Sequence, residues 1–238
     1  MSGHSKWAQI KHKKAATDAK KSANFSKLTA LITVAAREKG GDPGTNPKLR
    51  MAIDKARSFN MPADNIERAI KKGTGELEGV MIEELLIEAY GPNGKPILIT
   101  AMTDSKNRTI SEIKHILSKY DGKMAGSGSV KWMFEEKGQI ILENQKIDDE
   151  LELKLIELGT EDIKEGDNEI EIITKPNDLE KVKEELLKSG KQISDGSLTF
   201  LPKNPETITE SEKETLMKLF EELDNHQDVA EIYSSVIF

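Results

Sequence analysis

The feature that most limits what this 238-residue chain can become is a change of hydrophobic period at Gly79. Before that point apolar residues recur only at steps of three and four. Phe25, Leu28, Leu31, Ile32, Ala35 and Ala36 form one stripe, predicted to end at Gly40-Gly41 with Asp42-Pro43-Gly44 as the turn. Asn46 suits an N-cap and Pro47 the first helical position, and Leu49, Ala52, Ile53, Ala56 and Phe59 make a second stripe. A third, short helix from near Pro62 would bury Ile66, Ala69 and Ile70 and stop before Gly73. Short amphipathic helices can bury their stripes only against one another, so residues 1–79 are expected to form a small all-helical bundle.

Beyond Gly79 the period falls to two and then alternates. Strand-like Leu85–Tyr90 and Pro96–Met102 flank Gly91-Pro92-Asn93-Gly94, which reads as a hairpin turn. The pattern then predicts a helix over 109–120 and strands over 130–134 and 139–142, with Glu135-Glu136-Lys137-Gly138 between those strands. A helix (149–158), a strand (169–174), a helix (178–188), a strand (197–201), a helix (210–223) and a strand (229–236) follow. Helices and strands alternating at this pace imply α+β sandwiches, each a helical layer on a sheet.

Charge divides at the same place. Residues 1–79 hold 16 Lys and Arg against 8 Asp and Glu, a net of +8, whereas the remainder carries −15. Such polarity implies different partners for the two parts, a polyanion for the basic one. The chain has no cysteine, which removes disulfides, thiolate nucleophiles and cysteine-ligated zinc. No stretch approaches the roughly 18 apolar residues of a membrane span, and Met1 to Trp7 lack the apolar run of a secretory signal, so a cytoplasmic location is expected.

The basic leader carries the strongest functional signal. Lys6, Lys13, Lys20 and Lys27 are seven residues apart, with Lys14 and Lys21 beside two of them and Lys11 nearby. On a helix such a row spans roughly 31 Å at about 1.5 Å per residue, long enough to meet several backbone phosphates. Ala15, Ala16, Ala19 and Ala23 allow close approach, Trp7 offers a flat surface for a base, and His4 and His12 lie in the same segment. Seven basic residues against one acidic in positions 1–27 favour polyanion binding over a merely solvated face. Arg50, Arg57, Arg68, Lys71 and Lys72 extend that character along the second and third helices, as does Lys55.

Signals for catalysis are weak by comparison. There is no His-Glu-x-x-His spacing and no Gly-x-Ser-x-Gly elbow. Ala125-Gly126-Ser127-Gly128-Ser129 precedes a strand and lacks the Lys-Ser/Thr ending of a P-loop, so it reads as a tight turn before Val130. Asp104, Asn107, Arg108 and Thr109 sit between a strand and a helix. There they are expected either to cap the helix through Asp104 or Asn107, or to hold an anion with Arg108 and exposed N–H groups. No enzyme activity, cofactor, metal, membrane or small-molecule substrate is expected.

Several separated motifs resemble one known family. Gly3-His4-Ser5-Lys6-Trp7-Ala8 with Ile10-Lys11-His12-Lys13-Lys14 is similar to the opening of the YebC family. Gly40-Gly41-Asp42-Pro43 with Asn46, the run Asn60-Met61-Pro62 to Ile70, Tyr90-Gly91-Pro92, Thr103-Asp104 with Asn107-Arg108-Thr109, and Gly128-Ser129-Val130 continue the likeness in order. Two positions depart from it: Ser105 stands where the family often has Asn, and Tyr233-Ser234-Ser235 replaces a more usual Tyr-x-Asn.

The resemblance implies three domains: a basic helical domain (1–79), a middle α+β domain (80–134 plus 207–238), and a second α+β domain inserted in it (135–206). It implies a non-enzymatic, probable DNA-binding transcriptional regulator. The alternative it offers is a translation factor associated with ribosomal RNA or the ribosome, since a mitochondrial relative activates translation and bacterial members are linked to stalled ribosomes.

Overall fold

The structure, a computed structural model, describes residues 18–166 and 168–237, with side chains between residues 24 and 236. The chain divides into two compact units: one runs to Met133 and resumes at Asn204, and the other is Phe134–Lys203.

The first unit begins with α1 (Asp18–Lys39), α2 (Pro47–Ser58) and α3 (Ala63–Thr74). Leu28, Ile32, Ala35 and Ala36 of α1 close over Leu49, Ala52, Ile53 and Ala56 of α2 and Ile66 and Ala69 of α3, which is the burial the periodicity requires. Asn46, fully buried, fixes the joint between α1 and α2. Its Oδ1 accepts from the Leu49 N–H at 3.0 Å, and its Nδ2 donates to the Ala35 and Gly40 carbonyls at 2.8 Å each. One amide side chain thus caps the start of one helix and the end of another. Where α3 crosses α1, Gly73 leaves no room for a side chain: a Cβ there would lie 2.4 Å from the Thr33 carbonyl oxygen and 2.7 Å from Ala36 Cβ. Thr33 also donates across that crossing to the Ala69 carbonyl at 3.2 Å.

After the bundle come β1 (Glu83–Tyr90), β2 (Pro96–Thr103), α4 (Lys106–Lys119) and the short β3 (Lys123–Met124). The second unit comprises β4 (Phe134–Glu143), α5 (Asp149–Glu157), β5 (Thr160–Glu165), β6 (Glu169–Thr174), α6 (Leu179–Lys188) and β7 (Asp195–Pro202). The chain then adds β8 (Glu206–Thr207), α7 (Glu210–Asn225), β9 (Val229–Ser234) and β10 (Val236–Ile237) to the first unit.

In the first unit the main sheet has the order β3-β1-β2-β9, and β10 pairs in parallel with β8. β1 and β2 are in register from Glu83 opposite Thr103 to Tyr90 opposite Pro96, joined by the expected turn with Asn93 and Gly94 at positive φ. Ile87, Ala89, Ile97, Ile99, Ala101 and Ile232 form one apolar face, covered by Ile113 and Leu117 of α4 and Leu216, Leu219, Phe220 and Leu223 of α7. α1 runs against β2 and β9, and all eight residues of β2 are buried. Among the described residues, no helix is long and apolar enough to cross a membrane.

The second unit is an antiparallel sheet of order β5-β6-β4-β7 with α5 and α6 packed on it. Here the structure departs from the expected elements. Residues 131–133 form a 3-10 turn rather than strand, and β4 then runs unbroken through Glu135-Glu136-Lys137-Gly138, which was expected to interrupt it. Gly138 is not a turn residue but a seat for a helix: a Cβ there would lie 2.3 Å from Thr174 Oγ1 and 2.9 Å from Leu179 Cβ of α6. β5 was not expected at all. It is a charged edge strand paired only with β6, and its exposed Glu161, Asp162 and Lys164 hide the period-two signal.

Gly73→Ala is expected to destabilise the protein by about 1–3 kcal/mol, because the obstructing atom is backbone and cannot rotate away. Urea denaturation of the full chain would check this; an unchanged midpoint would mean that α1 and α3 can separate without cost.

Candidate nucleic-acid interface

The three helices of the bundle present the basic residues in different states. Of the leader, His4, Lys6, Trp7, Lys11, His12, Lys13 and Lys14 lie outside the described residues; Lys20 and Lys21 fall on the first turn of α1, their side chains outside them. Lys27 is half-buried and engaged: its ammonium donates to the Asp224 carbonyl near the end of α7 and lies 3.5 Å from the Asp224 carboxylate. A cation there complements the negative end of that helix. Lys55 is likewise held, by Glu231 of β9. Arg50 donates to the Pro43 carbonyl at 3.0 Å and so ties down the turn between α1 and α2. Lys71 pairs with Glu67 one turn earlier at 2.6 Å, and that hydrogen bond raises its pKa.

Among the described residues of the bundle, a smaller set faces outward. Arg57 is exposed and only 3.9 Å from Asp54 at its nearest. Arg68 and Lys72 are exposed on α3 and, among the described residues, form no ion pair. Arg37 and Lys39, exposed in the last turn of α1, were not singled out from the sequence. The Gly73 crossing sets Arg37 close to the end of α3, where Lys71 and Lys72 lie. The signal that could have found them is positional: both helices end basic, and packing brings the two ends together.

The polar loop before α4 forms a different kind of centre. Ser105 is the N-cap, without a side-chain capping bond, so neither Asp104 nor Asn107 fills that role; Asn107 is exposed on the first turn. The anion beside Arg108 is the protein's own Asp228, which is 8% exposed. Its Oδ2 accepts from the Thr109 hydroxyl at 2.6 Å, from Arg108 at 2.8 Å and from the Thr103 hydroxyl at 3.2 Å. Thr103 in turn accepts from the Ser105 N–H at 2.9 Å. Asp104 lies 3.0 Å from the same guanidinium. Burial works to raise the Asp228 carboxyl, but the Thr109 and Arg108 hydrogen bonds and the guanidinium charge outweigh it and hold the pKa below the ordinary value. Arg108 is raised reciprocally by the Asp228 hydrogen bond and charge. Asp228 belongs to the last part of the chain, so no local pattern around Arg108 could have revealed it.

His226 completes the cluster. Its Nδ1 accepts from the Asp228 N–H at 3.1 Å, which leaves the proton on Nε2, 2.9 Å from Glu112 Oε2. Glu112, His226 and Asp228 bring ligand atoms within 4.8 Å of one another, a spacing that could hold a cation. Those atoms are already engaged by protein donors, one of them a guanidinium, so the arrangement is a hydrogen-bonded brace between β2, α4 and the turn from α7 into β9.

The family model described as TACO1/YebC protein N-terminal domain matches residues 5–76, and that described as TACO1/YebC second and third domain matches residues 82–236. A probable transcriptional regulatory protein of Thermoanaerobacter pseudethanolicus is 49% identical over 99% of this chain and 97% of its own. Proteins of the same description from Thermotoga maritima (49%) and Thermosipho africanus (51%) match over 99% of this chain and 93% of theirs. The crystal structure of a conserved hypothetical protein, Aq1575 from Aquifex aeolicus, superposes with a TM-score of 0.86 at 42% identity, covering 97% of this chain and 96% of that one. A basic helical bundle followed by two antiparallel sheets under helices, matched end to end in this way, defines a class of bacterial proteins carrying the description of probable transcriptional regulators. The chain belongs to the TACO1/YebC family.

Asp228 has its pKa lowered in the folded state, so the stability it contributes is present above its unfolded pKa, about 4, and is lost as pH falls through the folded value. Unfolding free energy should therefore drop below about pH 4, and Asp228→Asn should flatten that dependence while lowering stability at neutral pH. Denaturant titrations across pH 2–7, on the general acid-unfolding range, would check both; an equal acid slope in the variant would remove Asp228 from the account.

Proposed function

We propose that this protein is a non-enzymatic nucleic-acid-binding regulator acting in the cytoplasm. In this reading the basic helical domain of residues 1–79 grips phosphate, and the acidic α+β domains (80–134 with 207–238, and 135–206) keep the rest of the molecule off the polyanion. The observation that carries it is the +8 charge of residues 1–79 against −15 elsewhere, with Arg37, Arg57, Arg68 and Lys72 left outward on the bundle. The relatives' description as transcriptional regulatory proteins supports DNA as the target. Phosphate contacts position a protein without reading sequence. Duplex DNA is therefore the primary ligand in this reading, and structured ribosomal RNA is the competitor to be measured beside it.

The leader lysines give the direct test. If Lys13, Lys14, Lys20 and Lys21 each neutralise one phosphate, the slope of log K against log[salt] gains about −0.9 per contact on B-DNA. Replacing all four by Gln in the full chain should weaken binding alike on every sequence and make the slope shallower by about three to four. Affinities by anisotropy for a duplex DNA and a structured RNA, at several salt concentrations, would check this. An unchanged slope would move the interface to Arg37, Arg57, Arg68 and Lys72, and tighter binding of the RNA at every salt would favour the ribosomal target.

A further inference from the structure

Outside the basic bundle, one exposed feature of the first unit is built with unusual rigidity. β1 turns Ile87 and Ala89 into the core and so turns Glu88 and Tyr90 to the opposite face. There β3 pairs with the end of β1, Tyr90 opposite Lys123, and the loop after β3 folds back over Glu88. The Glu88 carboxylate, 7% exposed, accepts from the N–H groups of Gly128 at 2.6 Å, Val130 at 2.6 Å and Lys131 at 2.8 Å. Gly128 adopts φ +80° to turn its N–H inward. Burial would raise this carboxyl, yet the N–H groups of Lys131, Gly128 and Val130 hold its pKa below the ordinary value. The run Gly128–Lys131 is therefore an anion cradle filled by the protein's own carboxylate, and charge-assisted bonds of this kind fix the loop.

What the fixed loop carries outward is an indole. Trp132, in the turn at 131–133, is 62% exposed, the only tryptophan whose surroundings the described residues include. Its Nε1 donates to the Ser129 carbonyl at 3.0 Å, and the Tyr90 hydroxyl donates to the same oxygen at 3.3 Å, so two rings are pinned to one atom. Lys123 Nζ stands 5.9 Å from the Tyr90 ring centroid, and exposed Lys131 adjoins Trp132. Among the described residues neither lysine forms an ion pair. The loop fixed by the buried carboxylate thus holds a large flat ring in water beside two cations. Flat rings flanked by two exposed cations match a base with its neighbouring phosphates better than they match an apolar protein surface.

We propose that Trp132, with Tyr90, Lys123 and Lys131, is a stacking platform for an unpaired base of a single-stranded nucleic acid, a contact separate from the phosphate-gripping bundle. This rests on the nucleic-acid-binding reading above. It adds a requirement that the bundle alone does not impose: the ligand must offer an unstacked base.

The test uses the full chain, and because the sequence holds two tryptophans the Trp132 emission is taken as the difference between the wild type and Trp132→Ala. A labelled single-stranded oligonucleotide and a blunt duplex of the same composition are titrated by anisotropy, with indole emission followed in parallel. Trp132 emission should be quenched as the single strand saturates. Trp132→Ala should weaken single-strand binding roughly tenfold, within the range for loss of one base–aromatic stack, and leave duplex affinity unchanged. Trp132→Phe, which keeps a ring, should recover most of the loss. Single strands that bind with unquenched emission and no effect of Trp132→Ala would overturn the platform and leave the function intact. Equal losses on both ligands would mark Trp132 as structural and overturn it too. Absence of binding to either ligand by the wild-type chain would bring down both proposals.

Discussion

The strand β2 is apolar on both faces, and that one property dictates how the first unit is assembled. A strand with Ile97, Ile99 and Ala101 on one side and Leu98 and Met102 on the other must be covered twice. α4 and α7 supply the first cover. The second comes from the bundle side, where α1 runs against β2 and its neighbour β9. The helical bundle is therefore not a bead on a string. Its own core is closed by Leu28, Ile32 and their partners, while the ion pairs of Lys27 with Asp224 and Lys55 with Glu231 tie its polar surface to elements far along the chain.

Those ties reduce the basic surface that a sequence count would assign. A lysine that is half-buried against the end of α7, or bound to a glutamate on β9, is already engaged by protein charge. Arg37, Lys39 and Lys72 gather where α1 and α3 end together, and this depends on Gly73 allowing those helices to touch. Part of that clustering has a purely local cause, since cations at helix C-termini are favoured by the backbone dipoles. The proposed interface uses residues whose placement also serves the helices that carry them.

How far the sequence could be read follows from how local each cause is. The bundle was legible because stripes at three and four residues, Asn46 and the Gly-rich turn all act within a few positions of the chain. The β1–β2 hairpin was legible for the same reason. Gly138 was misread because a glycine among charged residues looks like a turn, and only the position of Leu179, some forty residues later, shows that it is there for close packing. β5 was missed because an edge strand in water keeps charges on positions that would otherwise alternate. The Asp228 brace and the Glu88 cradle were invisible for a stronger reason. Each joins a side chain to donors on segments distant in sequence, and neither partner carries a mark of the other.

The late arrival of β9 has a consequence for how the molecule is made. β2 is synthesised early, yet the strand that pairs with its second edge begins only at Val229, after the whole of β4 to β7 has been completed. At a synthesis rate of about 5–20 residues per second, roughly 125 intervening residues correspond to about 6–25 s during which that edge has no native partner. An open, apolar strand edge over that interval is a hazard of mispairing between nascent chains. α1 precedes β2 in the chain and lies against one face of that strand in the finished fold. The order of the elements along the chain thus sets a helix of the bundle ahead of the strand whose second face it covers in the finished fold.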